Sequence, residues 1–154
     1  MKKMGFLCIF LLFIFISYNV SAEESRRSAS IMDIKGIVEV KATQGEWEKA
    51  KIGMTLEQGY IIRTKKKSRA LLNVDGMGQT ATVEIKQNSQ MQLMELLENK
   101  EESSQATLLD LAIGEILIKA QKLHSPKSKF EVKTPTSIVG VRGTTFSVSV
   151  GAEE

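Results

Sequence analysis

Between Ile31 and Val150 apolar side chains recur at every second position in short runs, and each run is stopped by glycine, asparagine, aspartate or a cluster of charges. Successive side chains of an extended chain point to opposite faces, so a period of two describes a strand with one buried face rather than an amphipathic helix. Met32, Ile34, Val38 and Val40 share one parity, against Asp33, Lys35, Glu39 and Lys41. Ile52, Met54 and Leu56 alternate before Gln58-Gly59, and Tyr60 to Thr64 follows. Ala70, Leu72 and Val74 lead into Asp75-Gly76-Met77-Gly78, a strong turn signal, and Ala81, Val83 and Ile85 resume the alternation. Later runs cover Ala106 to Ile113, Ile116 to Ala120, Phe130 to Thr134, and Phe146, Val148 and Val150. Strands at intervals of about ten residues predict a single all-β domain of about ten short strands, built as a rolled β-sandwich or a β-solenoid-like coil.

One segment fits two periods. Ser89 with Gln92 three residues on imitates a capping box, and Met91, Met94 and Leu97 fit a helical face, while Met91, Leu93 and Leu97 fit a strand. Glu98 to Gln105 is charged and serine-containing and reads as a flexible loop; Gln121 to Lys129 reads as a second loop, with His124 and Pro126.

The N-terminus has a different character. Met1-Lys2-Lys3 is a positive start, Phe6 to Ile16 is unbroken and apolar, and Val20-Ser21-Ala22 fits the small-residue pattern cut by signal peptidase. Residues 1–22 are therefore expected to be a cleaved signal peptide, 23–30 a flexible polar leader, 31–150 the β domain and 151–154 a C-terminal tail. An uncleaved helix from Met4 to Val20 would reach about 25 Å at ~1.5 Å per residue, short of a ~30 Å hydrocarbon core. Either way the domain is expected outside the cytoplasm, periplasmic or secreted, with no transmembrane helix after cleavage.

Cleavage changes the composition. Losing Lys2 and Lys3 leaves 19 basic residues against 18 acidic ones and lowers the net charge from +3 to +1. It also removes Cys8, the only cysteine, which excludes disulfides, thiolate metal sites and cysteine nucleophiles. The remaining aromatics, Trp47, Tyr60, Phe130 and Phe146, are too few for both a core and a stacking platform. Stability must come from burial, for which about 130 residues suffice.

The inventory for catalysis is thin. His124 is the only imidazole, sits in a loop between lysines, and reads as solvated. H-E-x-x-H, G-x-S-x-G, S-x-x-K and Walker motifs are all absent from the sequence. Gly76-Met77-Gly78-Gln79-Thr80-Ala81 matches a relaxed dinucleotide fingerprint, but that fingerprint needs a helix to begin at once, and Thr80 to Lys86 alternates like a strand. A hairpin turn is the expected reading, with no enzyme activity, cofactor or metal.

Arg63, Lys65, Lys66, Lys67 and Arg69 form the one dense basic run. Export removes nucleic acid as a partner. The run reads as a hairpin connection kept soluble by charge, or as a contact for anionic envelope polymers or lipid head groups. Trp47, among Glu46, Glu48 and Lys49, reads as a strand-edge core residue, with a binding anchor as the alternative.

The run from Phe130 through Thr134-Pro135-Thr136-Ser137-Ile138-Val139-Gly140-Val141-Arg142-Gly143-Thr144-Thr145-Phe146 to Val148 resembles the closing signature of the FecR domain family. The order Gly36-Ile37-Val38, Trp47, Gly53 to Gly59, Ile62-Arg63-Thr64, Ser68 to Leu72 and Leu109 to Ile118 is similar too, so the resemblance spans Ile31 to Val150. Its signature residues, Thr134, Pro135, Gly140, Val141, Arg142, Gly143, Thr144 and Phe146, are expected to be architectural. Pro135 suits a strand boundary, and Gly140 and Gly143 permit a bulge or close backbone approach. Arg142 shares parity with Phe146 and Val148, so its guanidinium is expected to point inward as the hub of a hydrogen-bond network, with a ligand contact as the alternative, and Arg142→Lys to destabilise the fold.

The resemblance implies an extracytoplasmic all-β module for interaction and regulation, with no catalytic residues to transfer. In the family's membrane-spanning regulators, which sense an occupied iron–siderophore receptor, a sigma-binding region precedes the span. With three residues ahead of Met4, where its apolar segment opens, this chain is expected not to grip a sigma factor itself. The expected function is protein–protein interaction with an envelope or receptor protein, through a sheet edge or the loops around Lys65 to Lys67 and Glu98 to Gln105. The alternative is binding of cell-wall polysaccharide or another anionic polymer through the basic run.

Overall fold

The alternating runs form strands that meet end to end. In a computed structural model, which describes residues 24–74, 81–123 and 125–151, the described residues form thirteen strands: β1 (Glu24–Arg26), β2 (Ala29–Lys35), β3 (Val38–Lys41), β4 (Glu48–Lys49), β5 (Thr55–Leu56), β6 (Ile61–Thr64), β7 (Arg69–Asn73), β8 (Ala81–Ile85), β9 (Gln90–Asn99), β10 (Ser104–Ala120), β11 (Lys129–Lys133), β12 (Ile138–Gly140) and β13 (Thr145–Val150). The helical reading of Ser89 to Leu97 does not survive, because Gln90–Asn99 is extended, with Met91 and Leu93 buried between half-buried neighbours. Strands number more than the ten expected, and two are long, with 10 residues in β9 and 17 in β10.

Consecutive strands are halves of longer, bent ones. β3 pairs with β6 and β6 with β9, while β2 pairs with β7 and β7 with β8. β10 then runs antiparallel to both β9 and β8, so its length covers both halves. Beyond β10 lie β11, which is parallel to it, and β13, which is antiparallel. The result is one curled, largely antiparallel sheet, a half-barrel whose two limbs close over a shared core; this is the rolled arrangement, not a coil of repeated turns.

Ile62, Met91, Leu93, Leu96, Leu109 and Leu111 from one limb meet Ile31, Leu56, Leu72, Ile85, Ile116 and Ile118 from the other, all at most 1% exposed. At about 25 cal/mol per Å² of apolar area, burial of such side chains contributes roughly 1.5–3 kcal/mol each, which is where a chain with a single cysteine finds its stability.

Three local expectations are corrected. Residues 24–30 are not a flexible leader, since β1 pairs antiparallel with Leu97 to Asn99 of β9 and β2 begins at Ala29. That edge is held by backbone pairing and by Arg27, which apolar periodicity does not register. The loop expected over Glu98 to Gln105 contracts to a turn at residues 100–103, with Ser103 at φ 48° and the Asn99 side chain accepting from Glu102 N at 3.0 Å. Met32 is 51% exposed, because a bulge between Ile31 and Asp33 shifts the register and hands the inward position to Ile31. The Asp75 to Gly78 turn, His124 and the expected signal segment lie outside the described residues. Among the described residues no helix is long and apolar enough to cross a membrane.

Candidate functional site

The bends line up across the sheet and make a corner. Two of its turns share one design: Lys65-Lys66-Lys67-Ser68 and Lys86-Gln87-Asn88-Ser89. Lys67 and Asn88 both adopt left-handed φ, 56° and 53°, and each following serine hydroxyl donates to the carbonyl two residues back at 3.1 Å. Ser68 and Ser89 are buried, where their hydroxyls also accept from Ile37 N at 2.8 Å and Glu115 N at 3.0 Å on the neighbouring strands. Gly114 faces Ser89 with φ 94°, and a Cβ there would overlap the serine, so β10 bends at the one residue type that fits.

This corner divides the basic run. Arg63 Nε donates to Glu39 Oε2 at 2.7 Å, lies 3.8 Å above the Trp47 ring, and shares that carboxylate with Lys65 at 3.5 Å. The Arg63 hydrogen bond holds the Glu39 carboxyl below its ordinary value of 4.5. Trp47 is thus a half-buried plate under a cation, outside the hydrophobic core in which it was expected. Lys66 is exposed on the turn.

Lys67 and Arg69 fall on the other side of the corner. There they line a groove of about 670 Å³ with Lys35, Lys86, Glu84 and Glu115. Arg69 contacts Asp33 at 3.2 Å and Glu84 at 3.6 Å, and Lys86 Nζ reaches Glu84 at 2.9 Å. The Lys86 hydrogen bond is the chief reason that the Glu84 carboxyl is lowered from its usual range. Lys35 and Lys86 were not among the candidate residues; the matching turns, each opening on lysine and closing on serine, are the sequence signal that brings Lys86 beside Arg69.

The C-terminal signature makes a second feature. Thr134 is buried and its hydroxyl accepts from Ser137 N at 3.0 Å, closing the β11–β12 turn around exposed Pro135. Val141 is buried and donates to Phe130 O at 2.8 Å, while Phe146 packs half-buried against the core. Gly143, at φ 71°, brings a would-be Cβ to 2.7 Å from Lys122 Cα, so close approach is real there; nothing lies within 4 Å of one at Gly140. Thr144 is exposed and accepts from Ala120 N at 3.2 Å.

Arg142 is corrected outright. It is exposed, and Nη2 donates to Pro126 O at 3.3 Å. The left-handed Gly143 interrupts the strand between residues 142 and 146, so their shared parity does not put them on one face. The guanidinium hub is Arg27: Nε donates to Leu97 O at 3.0 Å, and Nη2 to Ala106 O at 3.0 Å and Thr107 Oγ1 at 2.7 Å.

Around the signature, β12 has β11 as its partner and β13 has β10, which leaves one edge of each unpaired among the described residues. The Thr134–Ser137 turn, Val139 and residues 146–151 line a cleft of about 770 Å³ floored by Ala112 and Ile113. Ile138 is 63% and Val139 37% exposed beside it.

Curled sheet, serine-closed corner and open-edged C-terminal strands define an all-β half-barrel. A family model described as FecR protein matches residues 60–154, more than half of the chain, and the chain belongs to the FecR family, a family of regulatory and signalling proteins. The match begins at Tyr60, so Gly36-Ile37-Val38 and Trp47 stand outside it. No curated protein matches the chain, and no solved structure does.

Proposed function

We propose that this chain is an exported, non-enzymatic regulatory module that binds a protein of the cell envelope along the unpaired edges of β12 and β13. The observation that carries the reading is that strands with open edges, β12 and β13, both line one cleft of mixed apolar and hydroxyl character. Open edges offer backbone N–H and C=O groups to an incoming extended segment, and alternate pockets such as that beside Val139, Phe146 and Val148 select its side chains. Membership of a regulatory family supports the role. The apolar run Phe6 to Ile16 followed by Val20-Ser21-Ala22 supports export. The partner is an envelope or receptor protein contributing a strand.

A photo-reactive residue at Ile138 in intact cells, followed by mass spectrometry, tests this. One discrete envelope protein should be captured, and Ile113→Lys should suppress the capture without lowering Tm. Capture of nothing at Ile138, while a probe at Ile52 on another surface succeeds, would sink the edge reading. Intact mass of the exported chain checks cleavage before Glu23.

A further inference from the structure

The groove behind the corner carries cations whose placement the fold itself does not need. Lys35 at the end of β2 stands directly opposite Arg69 at the start of β7. Neighbouring strands are about 4.8 Å apart, and like charges in register across a strand pair are destabilising. Lys86 continues the line after β8, and Lys67 overhangs it from the turn. Asp33 and Glu84 compensate Arg69, and Glu84 compensates Lys86. Lys35 and Lys67 have no carboxylate partner among the described residues, so two ammonium groups border one depression with their charge uncommitted.

The rest of the lining narrows the chemistry. Glu84 and Glu115 sit in the same groove, and Gln87, Asn88 and Ser149 add amides and a hydroxyl. A dense polyanion would meet both carboxylates as well as the cations. A ligand with isolated acidic groups among hydroxyls would not: carboxylates accept from hydroxyls, amides serve either way, and the cations take the acid. No aromatic ring lines the groove, so recognition rests on charge and hydrogen bonds and is salt-sensitive.

We propose that this groove is a binding site for an acidic carbohydrate, with the sugar's carboxylate between Lys35 and Lys67 and its hydroxyls on Glu84, Glu115 and the neighbouring amides. The site borders the β12–β13 cleft and shares Ile113, Ser149 and Val150 with it, but its cations come from β2 and from the turn before β7, so substitutions at Lys35 and Lys67 test it independently of the edge. It also limits the contiguous run's part in anion binding to its C-terminal half, since Lys67 and Arg69 line the groove while Arg63 and Lys65 are committed to Glu39 on the far side of the corner.

The test is titration of the exported domain with oligogalacturonate at low salt, beside a neutral dextran oligosaccharide, inorganic polyphosphate and phosphatidylglycerol vesicles. Two double variants carry equal charge change: Lys35→Glu with Lys67→Glu inside the groove, and Lys66→Glu with Lys100→Glu outside it. All four positions are exposed, so folding is retained and Tm verifies it. The groove variant should weaken oligogalacturonate binding by roughly tenfold or more, and the outer variant by less than about twofold. Equal losses in both variants would reduce the effect to net charge and overturn the site. So would absence of oligogalacturonate binding, equal binding of dextran, or tighter binding of polyphosphate or vesicles.

Discussion

Arg27 and Arg142 carry the same guanidinium in opposite settings. Arg27 lies where the chain crosses from β1, on one limb of the half-barrel, to β2 on the other, and it donates to carbonyls of Leu97, Val74 and Ala106 and to the Thr107 hydroxyl. Those acceptors come from three separate stretches of chain. Arg142 lies on an exposed bend and reaches the Pro126 carbonyl at 3.3 Å. The difference teaches that an arginine becomes a hub where strand ends bring backbone carbonyls together, whatever apolar parity surrounds it. A planar fork of five donors suits such a place, and a bend in solvent leaves it almost unused.

The sharpest way to break this comparison is Arg27→Ala. Removing a partly buried multidentate donor leaves several carbonyls unmatched, so the loss should be about 3 kcal/mol, read as a fall in denaturant midpoint with unchanged m. Arg142→Ala at the same loss would dissolve the contrast. A smaller effect separates the two signature glycines: Gly143→Ala should destabilise by about 2 kcal/mol, because left-handed backbone and the Lys122 backbone both resist a Cβ. Gly140→Ala should leave Tm unchanged. Thr134→Val should cost about 1 kcal/mol through loss of the turn-closing acceptor, measured by thermal unfolding.

Arg63 extends the comparison to an arginine paired with a carboxylate. Glu39 and Glu84 are lowered in the folded state, so the stability they contribute is present above their unfolded pKa and is lost as pH falls through the folded one. Stability should therefore be flat near neutral pH and decline below the ordinary carboxylate value of 4.5, with Glu39→Gln and Glu84→Gln flattening the decline. Smallest of all is Arg142→Lys. With one exposed bond at stake, Tm should move by less than the equivalent of about 0.5 kcal/mol.

Much of this was readable from the residues. The alternation of Ala81, Val83 and Ile85, or of Ala70 and Leu72, named the buried face directly, because a strand with one dry side leaves no other solution. The signature from Phe130 to Val148 pointed to the family. The two turns closed by Ser68 and Ser89 were visible as Lys-Lys-Lys-Ser and Lys-Gln-Asn-Ser, yet their kinship shows only when both serines are seen buried at one corner. The contiguous basic run looked like one patch. In three dimensions a turn of four residues sends Arg63 and Lys65 to Glu39, and Lys67 and Arg69 to the groove with Lys35 and Lys86.

Side-chain period along the chain determined strand identity and the existence of a single apolar core, since both depend on near neighbours in sequence and on which faces must leave water. The tertiary structure alone decided the roles of Arg27 and Arg142, the bulge that exposes Met32, and the assembly of the cationic groove. Those depend on register between strands tens of residues apart and on single left-handed residues such as Gly143, and a local pattern carries no record of either.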